Sequence, residues 1–282
     1  MKVYLQEEKS PTLLRLYLRD KDAAYREKVL GELLKRALPL PEVLYIGDYD
    51  NIRFAITTFI EGRTLRDLLL SNLPYDIESL MIQVGKVLGK ISQFTFPKSG
   101  DFGNNLNVKP PYFSEKLLIK HVEKCLQKIE INPHLSMETC AKIRFYFESF
   151  ASLLPKKNET HLVHGDFDPA NILVKQVNES WIITGILDWE FAFSGSSLWD
   201  VSNMLRYAHK MSSEFESAFL KGLQEENVSL PPHWREATYL LTLSSLIDLL
   251  SRTDPATSPL QYQDIKQLIE LYLRYLDAYT LK

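Results

Sequence analysis

At 282 residues, 45% of them hydrophobic and 24% charged, the chain has the composition of an ordinary globular protein and enough length for two lobes. A formal net charge of -3 and a pI near 6.1 lack the basic footprint expected of a nucleic-acid binder. No uncharged apolar run approaches the roughly 18 residues of a membrane helix, and the opening MKVYLQEEKS has no apolar core, so the expectation is a protein of the cytoplasm with neither membrane span nor secretory leader.

Residues 12–18 (TLLRLYL) alternate Leu13, Arg15 and Tyr17 against Leu14, Leu16 and Leu18, which predicts a strand. Residues 3–5 are expected as its hairpin partner, with residues 7–11 as the turn. Asp20 or Asp22 can cap a helix reaching about Ala37, in which Glu27, Leu30 and Leu34 share a face. Pro39 and Pro41 end it and set an extended entry to residues 43–46. Residues 47–51 read as a turn cluster and residues 52–60 (IRFAITTFI) as another strand.

Beyond Gly62 the pattern turns helical, with predicted helices over residues 65–70, 77–94, 112–129 and 136–154. Two short strands, residues 171–174 and 181–187, are joined by the polar residues 175–180. Helices are predicted near residues 199–209, 213–225, 233–251 and 260–281. Cys125 and Cys140 fall in helical stretches without a CxxC spacing and read as buried free thiols. The predicted class is α+β, with a small sheet-plus-helix part over residues 1–60 and a larger, mainly helical part over residues 61–282 that carries the chemical motif on a hairpin.

That motif is His164-Gly165-Asp166-Phe167-Asp168-Pro169-Ala170-Asn171, followed by Ile186-Leu187-Asp188-Trp189-Glu190. An HGD triplet alone, or an Asp after an apolar strand, is an ordinary turn; the two segments in this order are far more specific. Asp166 can orient a hydroxyl and take its proton. Asn171 and Asp188 supply the neutral and the charged oxygen that suit magnesium on a nucleotide triphosphate. His164 can steady the loop through its ring nitrogens and is grouped with Asp166 as a candidate catalytic residue. Metal-dependent hydrolysis built on His164, Asp166 and Asp188 is disfavoured, because hydrolytic zinc sites want more ligands than one His in the motif provides.

HGDFDPANILV and GILDWEFAFSGSSLWDVSNMLRY resemble the catalytic core of the aminoglycoside phosphotransferase and choline kinase superfamily, most closely over residues 160–207 and more loosely from residue 12 onward. The resemblance implies a bilobal, protein-kinase-like fold, ATP (or GTP) with Mg²⁺, and a small hydroxyl acceptor: an aminoglycoside-like or peptide antibiotic, an amino alcohol or a sugar. It puts Asp166 at the catalytic Asp, Asn171 and Asp188 at the magnesium ligands, and Asp200 at an Asp that braces the catalytic loop. It also puts Arg15 at the strand position that meets the phosphates, with Glu27 as its helix partner. Lys is commoner there, and Arg brings a fork instead of a point charge. Thr57 to Ile60, including Thr58, would be the hinge that meets the purine, followed by the turn that starts at Glu61. Read from the residues alone, Asp200 could instead be an ordinary helix N-terminal acid, and Arg15 and Glu27 a surface strand Arg and a solvated helix Glu, though the bracing and phosphate-facing roles are the preferred readings.

The pattern departs from the superfamily at its front. The first glycine is Gly31, so no glycine-rich phosphate-covering loop precedes the strand of Arg15. The dozen residues before Leu13, at about 3.3 Å each, suffice for one strand. The N-terminal lobe is expected to be shortened, and three explanations stay open: a start codon placed too late, a genuine truncation with weak Mg-ATP binding, or a catalytically inactive nucleotide-binding module, against which the retained Asp166, Asn171 and Asp188 argue. No APE triplet follows Asp188, which disfavours a protein substrate. Trp189 reads as core filler and Glu190 as a turn acid or an added carboxylate. Glu236, Asp248, Trp234, Tyr239 and Tyr207 are the candidates for meeting a cationic or ring-bearing acceptor.

Overall fold

Strand β1 (Lys2–Val3) pairs antiparallel with β2 (Thr12–Tyr17), Val3 opposite Thr12, in a computed structural model that describes residues 2–3, 11–132 and 134–280. The rest of the expected first strand and its turn, residues 4–10, lie outside the described residues. Helix α1 (Ala23–Leu34) comes next, then β3 (Val43–Tyr49) and β4 (Ile52–Thr58), which complete an antiparallel sheet of order β1-β2-β4-β3. Alternation in β2 works as predicted at its far end: Tyr17 is buried and packs with Ala23, Ala24 and Ala55, so α1 lies on that face of the sheet.

The expected turn over residues 47–51 is tighter in the structure. β3 runs to Tyr49, opposite Ile52, and only Asp50 and Asn51 turn, both left-handed with φ of 47° and 63°. A two-residue turn with two positive φ values matches the twist of a hairpin, and Asp and Asn are residues that tolerate it. The same device ends the second hairpin described below, at Asn178 and Glu179.

The chain continues through β5 (Arg63–Thr64), α2 (Leu65–Leu69), α3 (Ile77–Ser92), β6 (Gly100–Asp101), α4 (Glu115–Ile131) and α5 (Met137–Ser149). There follow β7 (His161–Val163), β8 (Ile172–Val177), β9 (Ser180–Ile186), β10 (Phe193–Gly195) and α6 (Leu198–Leu205). Helices α7 (Ser213–Glu225), α8 (Trp234–Leu250) and α9 (Pro259–Thr280) close it. Side chains of Thr64, Asp76, Ser114 and Ser136 cap α2, α3, α4 and α5. β5, β6, β7 and β10 are two or three residues long, too short to show alternation, and sequence periodicity missed all four. They build two further three-stranded sheets, β5-β8-β9 and β6-β10-β7. Asn171, expected to open a strand, instead ends a 3-10 turn (Pro169–Asn171) just before β8.

The class is α+β, as predicted. The chain divides into two compact units, Met1–Tyr112 with Thr160–Ser229, and Phe113–Glu159 with Leu230–Lys282. In the first, α3 packs on α7. In the second, α8 packs on α4 and α9, and α4 on α5. Among the described residues, no helix is long and apolar enough to cross a membrane. Cys125 and Cys140 are buried free thiols.

Two glycines let α3 and α7 touch backbone to backbone. A Cβ on Gly222 would lie 2.2 Å from the Ile82 carbonyl oxygen, and one on Gly85 2.1 Å from that of Phe219. Gly31 in α1 is different, its nearest obstacle being the Pro41 carbonyl oxygen at 3.9 Å. Gly222→Ala should therefore destabilise the protein by about 1–3 kcal/mol through forced separation of the helices. Gly31→Ala should stabilise it by up to about 1 kcal/mol through helix propensity. Denaturant melts of the two variants check this, and equal shifts would contradict it.

Candidate functional site

The buried strand β7 delivers His164, Gly165 and Asp166 to the end of its sheet. Asp200, in the first turn of α6, is fully buried and accepts the backbone N–H groups of both His164 (2.7 Å) and Gly165 (3.0 Å). Burial pushes its carboxyl up to about 7, against the pull of those two N–H groups. Asn203, one turn on, donates to the Gly165 carbonyl (3.1 Å) and is itself held by Arg206 (2.6 Å). Gly165 has φ +82°, and a Cβ there would lie 2.3 Å from the Phe191 carbonyl oxygen, so the position requires glycine.

His164 has no exposed surface. Its Nε2 faces the Leu187 carbonyl at 2.9 Å, so it must carry the proton and donate; its Nδ1 accepts the Asp166 backbone N–H at 3.2 Å. Those partners define the neutral tautomer, and burial lowers the ring's pKa to about 4. The ring rests on Trp189, whose indole N–H donates to the Ile186 carbonyl. His164 therefore lies under the loop and positions Asp166 without reaching the surface. Trp189 is the core filler expected.

Asp166 accepts from Asn171 Nδ2 at its Oδ2 (2.9 Å), and its backbone carbonyl accepts from the same nitrogen (2.9 Å). Burial raises its pKa, Asn171 lowers it, and Asp168 and Asp188 raise it. With its amide N–H groups on Asp166, Asn171 keeps its Oδ1 as the atom able to ligate a cation. The Leu187 N–H donates to the Asn171 carbonyl at 2.8 Å, tying the residue before Asp188 to Asn171. Asp188 is left-handed, with φ 66° and ψ 63°, a conformation that costs a non-glycine residue about 1–3 kcal/mol and recurs at functional sites.

Arg15 on β2 is the hub of the charge network. It contacts Asp188 Oδ1 (2.5 Å), Glu190 Oε2 (3.3 Å) and Glu27 Oε1 (3.1 Å). Glu27 also accepts from the Tyr17 hydroxyl (2.5 Å). Burial pushes the Glu27 carboxyl up to about 7 despite Arg15 and Tyr17. Burial opposes the charge on Arg15, but Glu27 and Asp188 outweigh it and strengthen its hold on its proton. Arg15, Glu27, Asn171, Asp188 and Glu190 line a cavity of about 360 Å³ with Leu13, Leu40, Val43 and Thr57. Thr57 Oγ1 is buried and makes no hydrogen bond among the described residues.

Of the expected hinge, Thr57 lines the cavity, Thr58 bonds Glu42 (its N–H to the carbonyl, its Oγ1 from the N–H, both 2.9 Å), and Ile60 faces Gly185. Glu61 pairs with Lys175 at 2.6 Å. Sequence reading missed Arg26, which joins Asp20 to the Glu190 carbonyl, and Arg66, which holds Asp168 at 2.7 Å. It missed Asn203 as well. No spacing rule links partners 38 to 164 residues apart. The acceptor candidates make contacts within the chain. Asp248 faces His121 and Arg252, Glu236 lies 4.0 Å from His233, and Arg235 covers Trp234. Tyr239 packs on Tyr272 and Tyr275, and Tyr207 on His209.

A model described as the phosphotransferase enzyme family matches residues 2–240. Hygromycin-B 4-O-kinase of Escherichia coli is 25% identical over 198 residues, 65% of this chain and 52% of that protein, so the chain spans about half the length of the curated relative it matches. A thermostable mutant of aminoglycoside phosphotransferase APH(4)-Ia, solved as a ternary complex with ADP and hygromycin B, superposes with a TM-score of 0.72 at 19% identity, covering 97% of this chain and 92% of that one. The gentamicin complex of APH(2")-IIa gives 0.60 at 18% identity, covering 92% and 84%. At such identities the likeness establishes the fold, which is kinase-like as the sequence resemblance implied.

Glu27 yields a pH-dependent consequence. Its folded value of about 7 exceeds the ordinary 4.5, so between those values the folded protein holds a proton that the unfolded chain releases. The resulting stability is fully present below about 4.5 and is lost as pH rises through about 7. Gln at this position is neutral throughout. The stability of wild type relative to Glu27→Gln should fall between pH 4.5 and 7 in thermal melts. A constant difference, or one that grows, would contradict the assignment.

Proposed function

The chain belongs to the phosphotransferase enzyme family, and on that premise we propose that it is a small-molecule kinase. In this reading it moves the γ-phosphoryl group of ATP (or GTP) to a hydroxyl of a small acceptor, with an aminoglycoside-like antibiotic foremost and an amino alcohol or a sugar behind it. The observation that carries the proposal is the bonding of Asn171 to Asp166 while Asn171 and Asp188 line one cavity.

The residues present fit a magnesium nucleotide. Asp188 and Asn171 Oδ1 offer the few hard oxygen donors that magnesium takes beside phosphate. The cavity, lined by apolar Leu13, Leu40 and Val43 as well as by charge, suits a ligand with an apolar ring and a polyanionic tail. When bound, such a nucleotide supplies the transferable phosphoryl group and the cation that offsets its charge.

The chain's own residues do the rest. Asp166 orients the acceptor hydroxyl and accepts its proton, and the upward shift of its pKa by burial makes it a better base. Asn171 restrains the Asp166 side chain, while the His164 ring holds its backbone N–H and Asp200 holds those of the two residues before it. Arg15, steadied by Glu27, presents its guanidinium toward the phosphates. Residues 1–60 act as the nucleotide-binding lobe, with the backbone of Thr58 and Ile60 along the hinge, and residues 61–282 carry the base, the ligands and the acceptor site. A hydrophilic antibiotic is favoured as acceptor because the curated relative is named for hygromycin B. The competing reading, a nucleotide-binding module without turnover, draws on the engagement of Arg15 by three carboxylates.

A coupled assay that reads ADP released from ATP or GDP released from GTP, run over hygromycin B, other aminoglycosides, amino alcohols and sugars, tests the proposal. With at least one acceptor, nucleoside diphosphate should be released as the acceptor gains the phosphoryl group. Asp166→Asn should lower turnover by roughly 10²–10⁴ while nucleotide binding persists. Nucleotide binding without turnover on any acceptor would favour the module, and wild-type turnover in Asp166→Asn would remove the base.

A further inference from the structure

In the second unit, His121 and Cys125 stand one turn apart on α4 and face Asp248 on α8, a cluster that shares no residue with Asp166 or with the cavity lined by Arg15, Asn171 and Asp188. His121 Nε2 is 3.3 Å from Asp248 Oδ1, and Cys125 Sγ is 3.7 Å from that nitrogen and 3.8 Å from that oxygen. A tetrahedral zinc ion holding nitrogen and oxygen at about 2.0 Å and thiolate at about 2.3 Å spaces them about 3.3 Å apart for N···O and about 3.5 Å apart for the two sulfur edges. The triangle in the protein therefore needs only a few tenths of an ångström to close around such an ion.

Three further features fit. Arg252 Nε binds Asp248 Oδ2 at 3.0 Å, which fixes the carboxylate and leaves Oδ1 to face His121 and Cys125. That is the outer-shell support ligating carboxylates ordinarily have. Cys125 is buried at 3% exposure while the His121 side chain is 51% exposed, so the triangle has a dry back and an open front for entry and for a fourth, solvent ligand. A thiolate, a carboxylate and a neutral imidazole sum to a charge of about -2, matching a divalent ion, and the thiolate selects zinc-class ions over magnesium or calcium.

We propose that His121, Cys125 and Asp248 bind a borderline-soft divalent cation, zinc foremost, which clamps α4 to α8 within their unit. The inference stands apart from the kinase reading and survives its failure. Its occupant would couple to folding, since binding ties together residues separated by 123 positions.

The test uses the full chain, reduced and stripped with chelator, titrated with Co²⁺. One equivalent should produce the near-ultraviolet thiolate-to-cobalt charge-transfer band and the intense visible bands of a tetrahedral site. Zn²⁺ should displace them and excess Mg²⁺ should not. Cys125→Ser should lose the charge-transfer band, and Cys140→Ser should keep it. Zinc should raise the melting temperature of wild type but not of His121→Gln or Asp248→Asn, whose affinity should fall by more than the roughly 10–100-fold that loss of an outer-shell partner costs. His121→Gln changes a half-exposed side chain and keeps the test open if Cys125→Ser does not fold. No charge-transfer band in wild type, a band unchanged in Cys125→Ser, or displacement by Mg²⁺ would overturn the proposal.

Discussion

The carboxylate of Asp200 holds the candidate site in shape. Removing a carboxyl group from water is costly unless strong hydrogen bonds replace its solvation, and here the replacements are two backbone N–H groups, those of His164 and Gly165. Both bonds form only if the chain makes its left-handed turn at Gly165, pressed against the Phe191 carbonyl. Once that turn is made, Asp166 has one place to be. The neutral His164 ring fastens it from below, bridging the Asp166 N–H to the Leu187 carbonyl. Stability and the proposed chemistry thus share one device, a buried acid that pins the backbone leading to Asp166.

A second constraint is electrostatic. Glu27, Asp188 and Glu190 converge on the single guanidinium of Arg15. An ammonium is a point charge, whereas a guanidinium presents a planar fork and can meet several carboxylates at once. Asp188 and Glu190 alone exceed the one base by one negative charge, and Glu27, its carboxyl pushed up to about 7, adds to the excess as it ionises, an imbalance that a divalent cation would offset. Arg26 contributes from α1 by holding the Glu190 carbonyl, so strand, helix and motif are joined through two arginines. The left-handed Asp188 persists under this clamp, its backbone strain offset by Arg15 at its carboxylate and by the Leu187–Asn171 bond before it.

Much of this was legible in the residues, for identifiable reasons. Asp166 and Asn171 lie within one loop and Asp188 follows a hairpin, so their order along the chain carries their relation in space. The long helices announced themselves by apolar spacing, and α7 was predicted to the residue. The short strands β5, β6, β7 and β10 gave no signal, because two or three residues cannot show a period of two. The role of Asn171 was placed on the wrong local element, since Pro169 begins a 3-10 turn that Asn171 completes. Arg26, Arg66 and Asn203 were invisible because their partners are set by packing, not spacing. Cys125 was correctly expected to be buried and free, yet its neighbour Asp248 lies 123 residues away, beyond the reach of any motif.

The proposed kinase activity requires that Asn171 and Asp188 jointly hold a cation against a nucleotide in the cavity they share with Arg15. Isothermal calorimetry of ATP binding, with and without Mg²⁺, on wild type and on Asp188→Asn addresses it directly. Mg²⁺ should tighten ATP binding by wild type, and the gain should disappear in the variant. An equal Mg²⁺ effect on both proteins, or none on either, would contradict it.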